Sequence, residues 1–270
     1  MPNRLDGARD RSTRHVGHPL LVLGSVESTN TLALSCATDP SQDGTVWLAR
    51  EQTAGRGQYG RTWTAPAGSS VLISLLLFTP PELRRPPVIV AWAAVSVCEL
   101  IAELTGLPAT IKWPNDVLVH GKKVCGILIE QRNSGDRDRP LATVVGIGLN
   151  VTQPADVFIE AGLPDAGSLL SLSGRHFETD DVACQLIERL DGEYDRLLKG
   201  ALASLEEKWR ELLGLCGRRV RVETATEKID GDLLSLTFAS VDLRLDNAGL
   251  TRLPPEMVRH IRPISSEPEA

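Results

Sequence analysis

Long apolar runs, paired cysteines and an excess of basic charge are all missing from this 270-residue chain. The longest apolar run, Val88 to Cys98, is roughly half of what a membrane span needs, so no membrane partner is expected. The five cysteines, Cys36, Cys98, Cys125, Cys184 and Cys216, are odd in number and none pair at Cys-x-x-Cys spacing. That argues against a disulfide framework or a zinc site and fits a reducing, cytoplasmic compartment. Net charge is −6. A nucleic-acid binder working by bulk electrostatics is usually basic, so any anion site here must be local. Residues 1–19 carry Arg4, Arg9, Arg11 and Arg14 without an apolar stretch. They are not a secretory signal and are expected to be a flexible tail.

What is present reads as one large domain with a small appendage. Leu20–Val26 and Thr45–Glu51 read as strands, with Ser28-Thr29-Asn30 capping a helix between them. Val71–Phe78 is almost continuously apolar, as in a strand buried on both faces. After a proline cluster, a helix is expected over Val88–Leu104, stopped by Thr105-Gly106. Thr110–Trp113, Val117–His120, Val124–Gln131 and Thr143–Val151 then alternate with turn residues and the polar stretch Asn133–Arg139. Hairpin-linked strands mixed with a few helices argue an α+β class. Helices are expected over Thr179–Lys199 and Leu202–Leu213. Beyond Gly214, short strands and turns predict a small barrel.

Three segments carry chemistry. The first is Glu51-Gln52-Thr53-Ala54-Gly55-Arg56-Gly57-Gln58-Tyr59-Gly60-Arg61. Its glycines let backbone approach a ligand, and its guanidinium groups suit a phosphate or carboxylate. No Gly-Lys-Ser/Thr follows, so it is not a P-loop, and its spacing is not that of a dinucleotide fingerprint. A plain surface loop explains it equally well. A valine at Gly57 is expected to be costly because the position is taken to need positive φ. The second segment is Lys112-Trp113-Pro114-Asn115-Asp116 with Lys122-Lys123 beyond the turn. Lysine holds an anionic oxygen and Asp116 can accept a proton from an amine. Ordinary solvated hairpin charges are the alternative. The third is Gly146-Ile147-Gly148-Leu149-Asn150. Glycines alternating on a strand mean that a ligand or another backbone packs there, or that the strand bulges.

Together the segments resemble the biotin protein ligase family. The residues carrying the resemblance are Ser28-Thr29-Asn30, Gln52-Thr53-Ala54-Gly55-Arg56-Gly57, Lys112-Trp113-Pro114-Asn115-Asp116, Gly121-Lys122-Lys123-Val124-Cys125-Gly126-Ile127-Leu128 and Gly146-Ile147-Gly148-Leu149-Asn150, in matching order. It extends over about residues 20–262 and includes Glu256–Arg262 near the carboxy terminus. The resemblance implies a mixed central sheet with flanking helices, of the class II synthetase and lipoate-ligase type, over residues 20–213. It implies an SH3-like small β-barrel over 214–270.

By the same resemblance, Ser28, Thr29, Asn30 and Gln52 would contact the biotin ring system. Arg56, Gly57 and Gln58 would lie on a loop closing over biotin and the adenylate phosphate. Gly126 would present backbone to biotin. Lys112, Asp116 and Lys123 would be catalytic, Lys123 holding carboxylate and phosphate and Asp116 assisting the acceptor amine. Arg56, Lys112, Asn115 and Asn150 would face ATP, whose Mg²⁺ would lie near Asn150. Many bacterial relatives have arginine where Gln58 stands, which bears on how strongly the adenylate is held. The implied reaction is ATP-dependent formation of biotinyl-5'-AMP, then transfer to one lysine of a biotin carboxyl carrier domain of an acetyl- or acyl-CoA carboxylase. Strand pairing at a sheet edge is the expected docking mode. Some relatives carry an amino-terminal winged helix-turn-helix. The 19 residues before Leu20 leave no room for one, so no DNA binding is expected. Monomers and weak homodimers both occur on this architecture. A lipoate ligase or octanoyltransferase is the nearest rival, and a catalytically dead binding module is a third reading.

Overall fold

Near-continuous β-branched and aliphatic runs in the first 150 residues assemble into a mixed sheet that carries helices on both faces. The computed structural model describes residues 13–132 and 141–264. The polar stretch Asn133–Arg139, residues 1–12 of the expected tail and residues 265–270 of the expected barrel lie outside the described residues. The sheet elements, with two helices between them, are β1 (Leu20–Val26), α1 (Thr29–Ser35), β2 (Val46–Gln52), β3 (Ser70–Thr79), α2 (Pro86–Thr105), β4 (Ala109–Lys112), β5 (Asp116–Val119), β6 (Lys122–Arg132) and β7 (Leu141–Asn150). Strand order is β1-β2-β3-β7-β6-β5-β4. The β1–β2 pair is parallel and linked through α1, and every other neighbour is antiparallel.

Strand alternation sorts β3 between two faces. Ile73, Leu75 and Leu77 join the main core, while Leu76 joins a smaller cluster with Ala33, Trp47, Ala142 and Val144 under α1. By period two, Ser74 shares the α1 face with Leu76. The other face is filled by α2, whose residues from Val88 to Cys98 are all buried. By length and composition α2 could cross a membrane. Here it is the core's central helix, closed by Gly106 at φ 75°. Each large side chain it buries contributes about 1.5–3 kcal/mol.

Four helices follow: α3 (Ala155–Glu160), α4 (Leu169–Ser173), α5 (Thr179–Leu198) and α6 (Leu202–Leu213). The sequence reading anticipates α5 and α6 but not α3 or α4. A second, five-stranded antiparallel sheet contains β8 (Arg219–Glu223), β9 (Lys228–Leu236), β10 (Val241–Arg244), β11 (Leu250–Leu253) and β12 (His260–Pro263). Its order is β11-β10-β9-β8-β12. Its buried residues belong to the same hydrophobic cluster as the main core. Trp209 of α6 stacks near Phe238 at 5.1 Å and Trp113 at 5.7 Å. The Trp113 indole donates to Val258 O at 3.0 Å, tying the β4–β5 turn to the second sheet.

One expectation is corrected. Residues 13–19 are packed rather than loose: Val16 is fully buried, and the backbone N–H groups of Arg14, His15 and Val16 donate to Asp191 of α5. A buried carboxylate must be hydrogen-bonded, and this segment meets that need. Local sequence carries no signal for it, because the partners are 175 residues apart.

Candidate active site

The α1-facing side of the sheet encloses a cavity of about 760 Å³. Strand register builds its floor. Gly126 pairs with Gly148, and Leu128 with Gly146, so three glycines lie side by side across β6 and β7. A Cβ at Gly148 would sit 2.5 Å from Trp63 Cε2, and one at Gly126 would sit 3.0 Å from Trp63 Cζ3. The Trp63 indole lies directly on the backbone there, which only glycine permits. Its Nε1 is buried and has no hydrogen-bond partner among the described residues. A buried donor left so costs about 1–3 kcal/mol, which a ligand acceptor can recover.

One end of the cavity is a buried polar cluster. Ser28, Thr29 and Asn30 are all buried. Ser28 occupies the N-cap of α1, yet its side chain makes no capping bond. Gln52 Oε1 accepts from Thr29 N at 2.8 Å and from Thr29 Oγ1 at 3.1 Å. The Ser74 hydroxyl lies 2.7 Å from Thr29 Oγ1 and donates to Asn30 Oδ1. Asn30 Nδ2 donates to Glu130 at 2.8 Å. These groups lie on α1, β2, β3 and β6, so only the folded sheet joins them.

The other end is cationic. Asp116 pairs in register with both Lys112 and Gly126. Lys123 Nζ lies 2.6 Å from Asp116 Oδ1 and 5.8 Å from the Trp63 ring centroid. A register shift in the β5–β6 ladder at this point sets the direction of Lys123. Its backbone is held by Asp165 O at 2.7 Å and Gly167 N at 2.9 Å. Lys122 is exposed and donates to Pro164 O at 2.9 Å instead. Asn115 and Asn150 line the cavity but are committed to backbone. Asn115 Nδ2 donates to Ile127 O at 2.5 Å and Asn150 Nδ2 to Gly167 O at 2.9 Å.

The glycine-rich segment forms a small hairpin over the cavity, bridged between Arg56 and Thr62. Gly57 N donates to Arg61 O at 2.7 Å. Gly57 itself has φ −125°, so the expected need for positive φ there is overturned. The left-handed positions are Tyr59 at φ 56° and Gly60 at φ 74°. The glycine that close packing demands is Gly55, where a Cβ would meet Trp63 O at 2.4 Å. Arg56, Gly57 and Gln58 all line the cavity. Arg56 forms an ion pair with Glu130.

Sequence reasoning missed several lining groups. Trp63 is one, and its only signal was a large aromatic in a polar loop. Val157 and Phe158 of α3, and His260 and Arg262 of β12, are others. Tyr59 reaches toward β12, with its ring 6.3 Å from His260 and 5.5 Å from the Arg259 guanidinium. Burial holds the His260 imidazole below its ordinary value; Arg262, Arg61 and Lys112 add to this and Glu223 opposes it.

Comparisons with known proteins agree with this geometry. Residues 22–150 match the Biotin/lipoate A/B protein ligase family. Over 241 residues the chain is 30% identical to the bifunctional ligase/repressor BirA of Bacillus subtilis, covering 89% of this chain and 74% of the relative. It is 35% identical over 216 residues to the biotin--[acetyl-CoA-carboxylase] ligase of Mycobacterium tuberculosis, covering 75% and 73%. A solved biotin protein ligase from Aquifex aeolicus, in complex with biotin and ATP, has a TM-score of 0.74 at 26% identity, over 91% of this chain and 99% of that one. The cavity, its glycine floor and these matches have one explanation: the chain belongs to the biotin protein ligase family.

Proposed function

We propose that this cavity binds biotin with its ring against Ser28, Thr29, Asn30 and Gln52 and its carboxylate toward Lys123, and that the chain is an ATP-dependent biotin–protein ligase. One observation carries the reading: a buried polar cluster and a lysine–aspartate–lysine group stand at opposite ends of one cavity with a glycine floor between them. The ureido ring of biotin offers two N–H donors and one carbonyl, which such a cluster can satisfy. The dithiolane ring of lipoate offers neither and would leave buried polar groups unpaired, which sites of this kind reject strongly.

A carboxylate is a poor acyl donor because oxide would have to leave. Its oxygen attacks the α-phosphorus of ATP, the bond to pyrophosphate breaks, and biotinyl-5'-AMP results. Two anions meet in that step, so fixed positive charge must face them; Lys123, Lys112, Arg56 and Arg262 all line the cavity. The acceptor lysine then attacks the acyl carbon and AMP leaves. An unperturbed lysine is almost wholly protonated at neutral pH, so Asp116 takes up its proton. Asn115 and Asn150 keep the β5 turn and the 150–167 segment in position through their backbone bonds. The described residues hold no group of three or more metal-ligating side chains. Mg²⁺ carried by the phosphates of ATP would lie near Asn150, which lines the cavity, and would neutralise part of their charge.

The acceptor is a biotin carboxyl carrier domain. β5 pairs with β6 only as far as Gly126, so β6 from Leu128 onward carries no strand on that edge among the described residues. Leu128 also lines the cavity. That edge is the docking strand we assign. Residues 20–213 are assigned to catalysis, and the second sheet to closing the cavity through His260 and Arg262. The five free cysteines support a cytoplasmic location. The test is mass spectrometry of a carrier domain incubated with the chain, ATP and either biotin or lipoate. A gain of one biotinyl group is expected; lipoyl transfer without biotinyl transfer refutes the reading.

A further inference from the structure

We propose that Glu130 is a positioning residue that joins the ring-binding end of the cavity to the loop above it. It rests on the biotin reading of that cavity. Glu130 lies on β6, two residues beyond Leu128 and on the same strand face as Gly126 and Leu128. It stands outside the cavity lining, so it acts through other groups. A single carboxylate oxygen, Oε2, accepts from Asn30 Nδ2 at 2.8 Å and from the Arg56 guanidinium.

Each contact fixes something. An ionised carboxylate only accepts, so it selects the orientation of the Asn30 amide, with nitrogen toward Glu130 and oxygen toward Ser74. The amide has no other room: a Cβ on Gly146 would lie 2.2 Å from Asn30 Oδ1. Asn30 therefore offers the ring one fixed donor–acceptor pattern. Arg56 meets Glu130 through Nη2. The guanidinium has five N–H donors in a rigid fork, so most remain for ligand oxygens in the cavity that Arg56 lines. Glu130 thus anchors the loop through Arg56 while holding the amide that reads the ring. No other acidic side chain hydrogen-bonds both Asn30 and Arg56 among the described residues.

Glu130→Gln separates the two roles. Its carbonyl still accepts from Asn30, but the charge that makes the Arg56 bond strong is gone. The experiment measures biotin affinity by calorimetry and the half-life of enzyme-bound biotinyl adenylate by rapid gel filtration. Glu130→Gln is expected to shorten the half-life about tenfold, with biotin affinity within about threefold of the parent, because a charge-assisted bond is roughly twice as strong as a neutral one. In an Arg56→Ala background it is expected to have no further effect, since both act through one ion pair. An unchanged half-life in Glu130→Gln, or effects that multiply in the double variant, overturns the proposal. Arg56→Ala that leaves the half-life unchanged overturns the lid reading of the loop instead. If Glu130→Gln does not fold, Glu130→Asp takes its place: it keeps the charge one methylene short, and its half-life should lie closer to the parent's than that of Arg56→Ala. A half-life as short as that of Arg56→Ala overturns the proposal.

Discussion

Removing the amine of Lys123 is the perturbation whose size the structure states most directly. Its Nζ lies 2.6 Å from Asp116 Oδ1, and both side chains line the cavity. At an effective dielectric near 20, a unit charge facing an anion about 4 Å away is worth about 4 kcal/mol. The Lys123 side chain is 35% exposed, and solvent screens part of that. Loss of one preorganised charge or donor typically costs about 10²–10³ in rate, or roughly 3–4 kcal/mol. Lys123→Ala is therefore expected to lower kcat/KM for adenylate formation by about 10²–10³. The Asp116 carboxylate also loses its ion-pair partner. Lys122 provides the control: it is exposed, and its amine is spent on Pro164 O. Lys122→Ala should stay within about twofold, as surface substitutions usually do. Biotin-dependent exchange of pyrophosphate into ATP reads the adenylation step by itself. Equal losses from the two variants, or a tenfold loss at most for Lys123→Ala, would refute the assignment.

Arg56→Ala should release adenylate early and raise acylation of bystander lysines, because the loop loses the Arg56 cation over the cavity; labelling of an unrelated protein at unchanged levels would count against the lid. Gly146→Ala forces a methyl to within 2.2 Å of Asn30 Oδ1. Displacing that amide breaks bonds to Ser74 and Glu130, so KM for biotin should rise at least about tenfold and the melting temperature should fall; an unchanged KM removes Asn30 from the ring site. His260 has a folded pKa below its unfolded one, so the unfolded chain binds more protons as pH falls. Its contribution is complete above about pH 6.5 and is lost as pH falls through the lowered value. Between pH 7 and 5 the melting temperature of His260→Gln should fall less than the parent's; parallel curves contradict the burial of His260.

Local periodicity makes most elements legible in the sequence. α6 spans Leu202–Leu213 as expected, and α2, α5 and strands β1 to β7 begin and end within about two residues of their expected bounds. α3 and α4 are not legible there. They have six and five residues, too few to be stable alone, and they exist because tertiary packing holds them. The glycine, lysine and aspartate motifs are legible as residues, but each alone suits a plain loop, hairpin or bulge.

Where strands and helices run, and which short segments carry the means to hold an anion, follow from neighbours along the chain, so the amino-acid order is enough to set them. Which of those residues meet is a matter for the fold. Strand pairing sets Gly126 beside Gly148, and sheet order brings Glu130 to Asn30 and Arg56. Packing pins residues 14–16 on Asp191 and brings His260 and Arg262 to the cavity. The reason is physical: these contacts join groups far apart in sequence, and no local pattern records a hydrogen bond whose partner arrives only when the sheet closes.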